Sequence, residues 1–123
     1  MTITRVLATA FAVAALLLHA APARAHAFLD HSDPAVGSTM QTAPAVIHLW
    51  FTQELEPAFS SVTVTDQSGA TVSEPAAIDP NNKSELDVKL KSLPAGAYKV
   101  SWHALSVDTH TTDGDFSFHV GGK

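Results

Sequence analysis

The ten residues LPAGAYKVSW, at positions 93–102, combine a turn with a strand and decide the fold class. Tyr98, Val100 and Trp102 alternate with polar residues, which is the period-two pattern of a strand that buries one face. A proline and a glycine precede the alternation and favour a turn there. The stretch therefore predicts a half-buried strand that begins directly after a tight turn.

The same alternation recurs along the chain and indicates an all-β fold. Tyr98 follows a glycine turn at the start of a late strand, which is typical of the tyrosine corner of immunoglobulin-like sandwiches. Prolines fall between the alternating segments, where a missing N–H does least harm to a sheet. We therefore predict an immunoglobulin-like antiparallel β-sandwich or barrel with Greek-key connections. The other alternating apolar positions are Ile47, Leu49 and Phe51; Val62 and Val64; Leu86, Val88 and Leu90; and Phe116, Phe118 and Val120.

The first 25 residues have the pattern of a secretory signal peptide that is cleaved on export. An arginine precedes an uncharged, mostly apolar run at 6–18, and Ala23 and Ala25 occupy the positions that a signal peptidase reads. The run is too short to span a bilayer as a helix, which needs about 20 residues. Residues 26–123 then form one domain. A cut after Ala27 is the alternative, and the sequence leaves the two positions open.

The charge balance of residues 26–123 excludes several classes of partner. They contain 5 Lys and Arg against 12 Asp and Glu, a formal charge of −7. Nucleic acids and anionic lipid surfaces require clustered basic residues, so neither is expected as a partner. The chain has no cysteine, which excludes disulfides, thiolate metal sites and thiol nucleophiles. We expect a monomer whose stability comes from its hydrophobic core.

The proposed cleavage creates a candidate metal ligand. A cut after Ala25 exposes His26 as the N-terminal residue, which offers two nitrogens, the α-amine and the ring Nδ1. Asp108 and His110 lie two positions apart, and in an extended segment their side chains would point to the same side. Three nitrogens and one oxygen suit copper(II). The sequence therefore predicts a Cu(II) site formed by His26, Asp108 and His110.

The other histidines after residue 25 have no comparable partners in the sequence, and we interpret them as strand-face or surface residues. They are His31, His48, His103 and His119. The apolar alternation breaks between Trp102 and Asp108, which indicates either a β-bulge or an ordinary strand end. His103 is close to this break, so a contribution of His103 near the metal site stays open.

The chain resembles the CopC copper-resistance proteins over essentially all of residues 26–123. The segments that carry the resemblance are HAFL at 26–29, SDPAVG at 32–37, HLWFT at 48–52, GAYKVSW at 96–102, SVDTHT at 106–111 and GDFSF at 114–118. The resemblance implies a periplasmic copper(II)-binding protein with an immunoglobulin-like β-barrel fold. It also implies that His26, Asp108 and His110 are the copper ligands.

Two positions depart from the pattern of some CopC proteins. A methionine-rich loop that binds copper(I) occurs in some members, whereas Met40 is the only methionine after residue 25 here. A copper(I) site is therefore not expected. Some members place an acidic residue after the Phe-Ser or Phe-Thr of an early strand, and this chain has Gln53 there, followed by Glu54. An axial contribution from this strand is left open.

Three functions are compatible with these observations. The first is a non-enzymatic carrier or buffer of periplasmic copper, because four protein ligands leave no easy place for a substrate. The second is a copper oxygenase with a histidine-brace-like site, although Asp108 would occupy the position such an enzyme keeps open for oxygen. The third is an immunoglobulin-like structural domain without metal. Whether the protein imports, sequesters or hands over copper stays open, and a CopD-like inner-membrane transporter is one candidate partner.

Overall fold

A computed structural model describes residues 28–121 of the chain. It contains eight β-strands in this range and one short 3-10 helix. The strands are β1 (Leu29–Asp33), β2 (Thr39–Met40), β3 (Val46–Phe51), β4 (Ser61–Thr65), β5 (Ala77–Asp79), β6 (Asn82–Lys89), β7 (Gly96–Leu105) and β8 (Thr111–Val120), and the helix spans Pro57–Phe59. No helix in residues 28–121 is both long and apolar enough to cross a membrane.

The strands form two four-stranded sheets. Sheet 1 has the order β1-β3-β6-β5 and sheet 2 the order β2-β8-β7-β4. The chain passes repeatedly between the sheets, as in Greek-key sandwiches. The predicted all-β sandwich is confirmed, with one exception to the antiparallel pattern. The two-residue strand β2 runs parallel to β8, because the chain leaves β1 and crosses to the outer edge of the other sheet.

The core lies between the sheets and consists of the apolar positions that alternate along the strands. Ile47, Leu49, Val64, Val88 and Phe118 are fully buried. Full burial of one such side chain stabilises the folded state by about 1.5–3 kcal/mol. Because the chain has no cysteine to form a disulfide, this core is its principal source of stability.

Tyr98 forms the tyrosine corner that the sequence predicts. Its hydroxyl donates a hydrogen bond to the carbonyl oxygen of Pro94, four residues upstream. Its ring stacks on Phe118 with the ring centroids 5.6 Å apart. The turn and the start of β7 are thereby fixed to β8, which is the next strand of sheet 2.

The break in apolar alternation marks the end of a strand and not a bulge. β7 and β8 pair without a register shift from Gly96↔Val120 to Leu105↔Thr111. The backbone N–H of Glu56 donates to the carbonyl oxygen of Leu105, which ties the segment after β3 to the end of β7. Residues 106–110 then connect β7 to β8 at this end of the sandwich.

Candidate metal centre

Residues 106–110 form a tight turn, and the prediction of an extended segment there is wrong. Thr109 N–H donates to the carbonyl oxygen of Ser106 at 2.9 Å, and Ser106 N–H donates to the carbonyl oxygen of His110 at 2.9 Å. Thr109 has a φ of 73°, in the left-handed region that a β-branched residue rarely adopts. The turn arises because β7 must reverse direction within five residues in order to pair with β8.

The turn nevertheless brings Asp108 and His110 together. Asp108 Oδ1 lies 3.4 Å from His110 Nδ1, and the two side chains are 38% and 47% exposed. Two ligand atoms that each lie about 2.0–2.2 Å from one ion are separated by roughly 2.8–3.5 Å. The pair therefore has the separation of two ligands of a single metal ion, at a position that solvent can reach.

A buried serine fixes the carboxylate of Asp108. Ser106 is fully buried, and its hydroxyl donates a hydrogen bond to Asp108 Oδ1. This hydrogen bond, together with the adjacent imidazole of His110, lowers the pKa of Asp108 below its ordinary value. The carboxylate is therefore ionised at neutral pH, as a metal ligand must be.

The first described residues lie at the same end of the sandwich as this turn. Phe28 N–H donates to Thr52 Oγ1 at 3.0 Å, and Thr52 N–H donates to the carbonyl oxygen of Phe28 at 2.8 Å. Two residues further on, the carbonyl oxygen of Glu54 accepts a hydrogen bond of 3.1 Å from Val107 N–H. The segment after β3 thus joins the start of the described chain to the Asp108 turn.

The predicted ligand His26 lies outside the described residues. So do the proposed signal peptide, residues 1–25, and both candidate cleavage positions, after Ala25 and after Ala27. The predicted three-residue site is therefore represented in the structure by Asp108 and His110.

Two of the strand histidines, His31 and His103, contact carboxylates other than that of Asp108. His103 Nδ1 lies 2.5 Å from Asp113 Oδ1, on the pair of strands β7 and β8. His31 Nδ1 lies 2.7 Å from Asp30 Oδ2, and the His31 ring stacks on Trp50 at 4.4 Å. These two histidines thus contact neighbouring carboxylates, one across a strand pair and one along the chain.

Sequence reasoning missed a second cluster of potential ligands on sheet 1. His48 Nδ1 lies 2.7 Å from Asp87 Oδ1 and 3.2 Å from Glu85 Oε2. The ligand atoms of the three residues all lie within 4.8 Å of one another. Alternation places Glu85 and Asp87 on the outer face of β6, since Leu86 and Val88 are buried in the core. The alternation along β6 is visible in the sequence, but the sequence does not reveal that β6 pairs with β3, the strand that holds His48.

This cluster raises the pKa values of Asp87 and His48. Burial and the hydrogen bond with Glu85 raise the pKa of Asp87 to about 6. Burial alone lowers the pKa of His48, but the hydrogen bonds and charges of Asp87 and Glu85 outweigh burial and leave the pKa raised. The imidazole of His48 and the carboxyl group of Asp87 therefore compete for protons close to neutral pH.

Together, the fold and the Asp108 turn define a class of protein. It is a small immunoglobulin-like β-sandwich that presents an imidazole and an ionised carboxylate in a loop at one end.

Comparison with known proteins identifies the family within this class. The CopC domain matches residues 29–121. Copper resistance protein C of Xanthomonas campestris pv. juglandis is 36% identical over 123 residues, which cover 94% of this chain and 96% of that protein. Protein YobA of Escherichia coli K12 is 37% identical over 98 residues, covering 78% of this chain and 79% of that one. The crystal structure of CopC from Methylosinus trichosporium OB3b superimposes with a TM-score of 0.73 at 32% identity, covering 77% of this chain and 93% of that chain.

The chain therefore belongs to the CopC family, which includes copper resistance proteins. The family and the fold that the sequence motifs predict are both confirmed.

Proposed function

We propose that this protein binds one Cu(II) ion through the α-amine and ring Nδ1 of His26, a carboxylate oxygen of Asp108 and a ring nitrogen of His110. The observation that carries the proposal is the 3.4 Å separation of Asp108 Oδ1 and His110 Nδ1 in a member of a copper-handling family. Phe28 supports it, because its hydrogen bonds to Thr52 hold residue 28 at the same end of the sandwich.

The proposed donor set matches copper(II). Three nitrogens and one oxygen favour the tetragonal geometry of Cu(II), and Cu(II) has the highest affinity in the divalent series. Asp108 is ionised at neutral pH because Ser106 and His110 lower its pKa. The site is exposed, so the ion can reach it without opening the core.

We further propose that the protein is a non-enzymatic carrier or buffer of copper in the periplasm. The signal-like residues 1–25 support export, and four protein ligands leave no easy position for oxygen or a substrate. A CopD-like copper transporter of the inner membrane is the partner that we propose for hand-over. This part of the proposal depends on the copper site itself.

The decisive experiment tests the α-amine. Protein exported by its own signal is compared with a form that retains a methionine before His26, so that the ring of His26, Asp108 and His110 are unchanged. We expect intact mass to show a chain that begins at His26. We also expect the Met-extended form to bind Cu(II) more weakly by orders of magnitude in competition with glycine.

Two results would contradict the proposal. One is an exported chain that begins at Phe28, because it would lack His26 altogether. The other is equal Cu(II) affinity and an unchanged electron paramagnetic resonance spectrum in the Met-extended form, because the α-amine would then not bind the ion.

A further inference from the structure

We infer that the outer face of sheet 1 carries a second cation site, in which His48, Glu85 and Asp87 bind a divalent transition-metal ion. This site is separate from the Asp108 turn, and it does not depend on His26 or on the copper function proposed above.

The strand register builds this site from two neighbouring strands. His48 on β3 lies directly opposite Asp87 on β6, and Trp50 lies opposite Glu85. Alternation sends all four side chains away from the core, since Leu49 is buried between His48 and Trp50. The ligands therefore come from hydrogen-bonded strands and not from a flexible loop.

The distances fit a single ion. His48 Nδ1 lies 2.7 Å from Asp87 Oδ1 and 3.2 Å from Glu85 Oε2. Ligand atoms on one ion are separated by roughly 2.8–3.5 Å, so a shift of a few tenths of an ångström would admit the metal. The three side chains are only 36%, 11% and 24% exposed for His48, Glu85 and Asp87. Their partial burial restricts their rotamers and keeps the donor atoms close together.

The local charge favours a cation. Within residues 28–121, Glu85 and Asp87 form ion pairs with His48 but with no lysine or arginine. Asp33 lies opposite His48 on the other neighbouring strand, which adds a third carboxylate to this face. A bound divalent ion would neutralise carboxylates that a single imidazole balances incompletely.

A groove gives the ion access to the donors. It has a volume of about 670 Å³, and His48 and Asp87 form part of its wall together with Ile78 and Pro75. An ion could enter from the groove, and the remaining coordination positions would face it and hold water. A route of entry and an open position are both required of such a site.

The donor set selects the class of ion. One imidazole and two carboxylates suit Zn²⁺ and Cu²⁺, whereas Ca²⁺ and Mg²⁺ prefer all-oxygen sites. Cu²⁺ should bind more tightly than Zn²⁺ at the same ligands. The two ions are therefore the probes for the site.

The test uses the Asp108→Asn/His110→Ala double variant, which lacks the carboxylate and the His110 imidazole of the proposed N-terminal site. We expect this protein to bind one equivalent of Zn²⁺ or Cu²⁺ by isothermal titration calorimetry. Cu²⁺ should also quench the fluorescence of Trp50, because its ring stacks on His48 with centroids 5.6 Å apart. Adding His48→Gln or Asp87→Asn to the double variant should weaken binding by more than about 10-fold.

His103→Gln in the double variant is the matched control, because His103 has one neighbouring carboxylate, Asp113, instead of two. We expect it to leave binding unchanged. Thermal unfolding of each variant verifies that it is folded, and Asp87→Asn preserves the side-chain shape. The inference is overturned if the double variant binds neither ion, if binding survives both His48→Gln and Asp87→Asn, or if His103→Gln abolishes it. Failure of the N-terminal site would instead appear as equal copper stoichiometry in the parent protein and the double variant.

Discussion

The buried hydroxyl of Ser106 hydrogen-bonds the exposed carboxylate of Asp108 across the turn that ends β7. The serine is buried directly after the end of β7, and the aspartate is two residues further on, exposed to solvent. Core packing on one side therefore fixes the orientation of a proposed metal ligand on the other. Such outer contacts usually contribute to metal affinity as well as to structure.

Ser106→Ala should weaken Cu(II) binding by roughly 10–100-fold, because the Asp108 carboxylate loses the group that orients it. The pKa of Asp108 should rise toward its ordinary value, since the Ser106 hydrogen bond is the main cause of its depression. Carbon-13 NMR titration of the carboxyl group measures the second effect. Ser117→Ala, on the exposed face of β8, should change neither quantity. Unaltered titration of Asp108 in Ser106→Ala would contradict the assigned role.

His110→Ala should weaken Cu(II) binding by orders of magnitude, because it removes one of the three proposed nitrogen donors. The electron paramagnetic resonance spectrum of the copper complex should change in parallel, since its hyperfine couplings report the bound nitrogens. His119→Ala is the control, because His119 lies exposed on β8 and outside the proposed ligand set. A spectrum that is identical in His110→Ala and the parent protein would remove His110 from the site.

Reduction of the copper complex should release the metal. Copper(I) prefers thiolates and thioethers, and residues 26–123 contain no cysteine and only Met40 as a thioether. Ascorbate followed by a copper(I) chelator should therefore extract the ion, as measured by the absorbance of the chelate. Retention of the reduced metal would show that the histidines alone hold copper(I).

The cluster on sheet 1 should make the metal-free protein more stable as the pH falls from 8 to 5. The raised pKa of His48 contributes stability that is present at low pH and lost as the pH rises through that value. The raised pKa of Asp87, about 6, means that ionising this carboxyl disfavours the folded state above its unfolded pKa of about 3.9. Both pKa shifts therefore make the folded state more stable at pH 5 than at pH 8. The other titratable groups around them are His31 and Asp33 on β1, Asp79 on β5, Glu85 and Lys89 on β6, and Glu74 at the groove.

Urea unfolding in the presence of EDTA measures this dependence. We expect Asp87→Asn to reduce the change in the free energy of unfolding between pH 8 and pH 5 by about 1 kcal/mol. This value is lowered for solvent screening, because the side chain is partly exposed. A pH dependence in Asp87→Asn equal to that of the parent protein would show that Asp87 does not contribute.

Gly114→Ala should destabilise the fold by about 1–3 kcal/mol, because a methyl group there collides with a ring. Gly114 lies opposite Trp102 in the β7–β8 pair, and a Cβ on Gly114 would approach Trp102 Cε2 to 2.7 Å. The ring cannot move freely, since it packs edge-on against Phe51 at 5.3 Å. Chemical denaturation measures the loss. Ser117→Ala, on the solvent face of the same strand, should cost much less, and an equal cost would argue against the collision.

The strands could be predicted from the sequence because one face of each is buried. Ile47, Leu49 and Phe51 show a period of two for that reason. Tyr98 marks a turn that is closed by a hydrogen bond to Pro94, only four positions away in the sequence. The conformation of the Asp108 turn could not be predicted in the same way. Its shape follows from hydrogen bonds between Ser106 and His110, which pair only when β7 meets β8.

The second cluster depends on register in the same manner. His48 and Asp87 are 39 positions apart, and they meet because β3 pairs with β6 in one alignment out of several that preserve the buried face. A shift by two residues would keep every apolar side chain inside and separate this pair. The N-terminal half of the proposed copper site, His26, stays a prediction.

The paired hydrogen bonds between Phe28 and Thr52 limit how fast copper would exchange at the proposed site. Only Ala27 separates Phe28 from His26, so the Cα atom of the proposed N-terminal ligand lies at most about 7 Å from that of Phe28. Confinement to such a sphere corresponds to an effective concentration on the order of 1 M, far above that of any free competitor. A ligand atom that dissociates from the ion would therefore rebind faster than a dilute chelator could bind the ion. Rapid transfer would therefore require an acceptor that docks and replaces the ligands one after another, while the tether keeps the ion from escaping into solution.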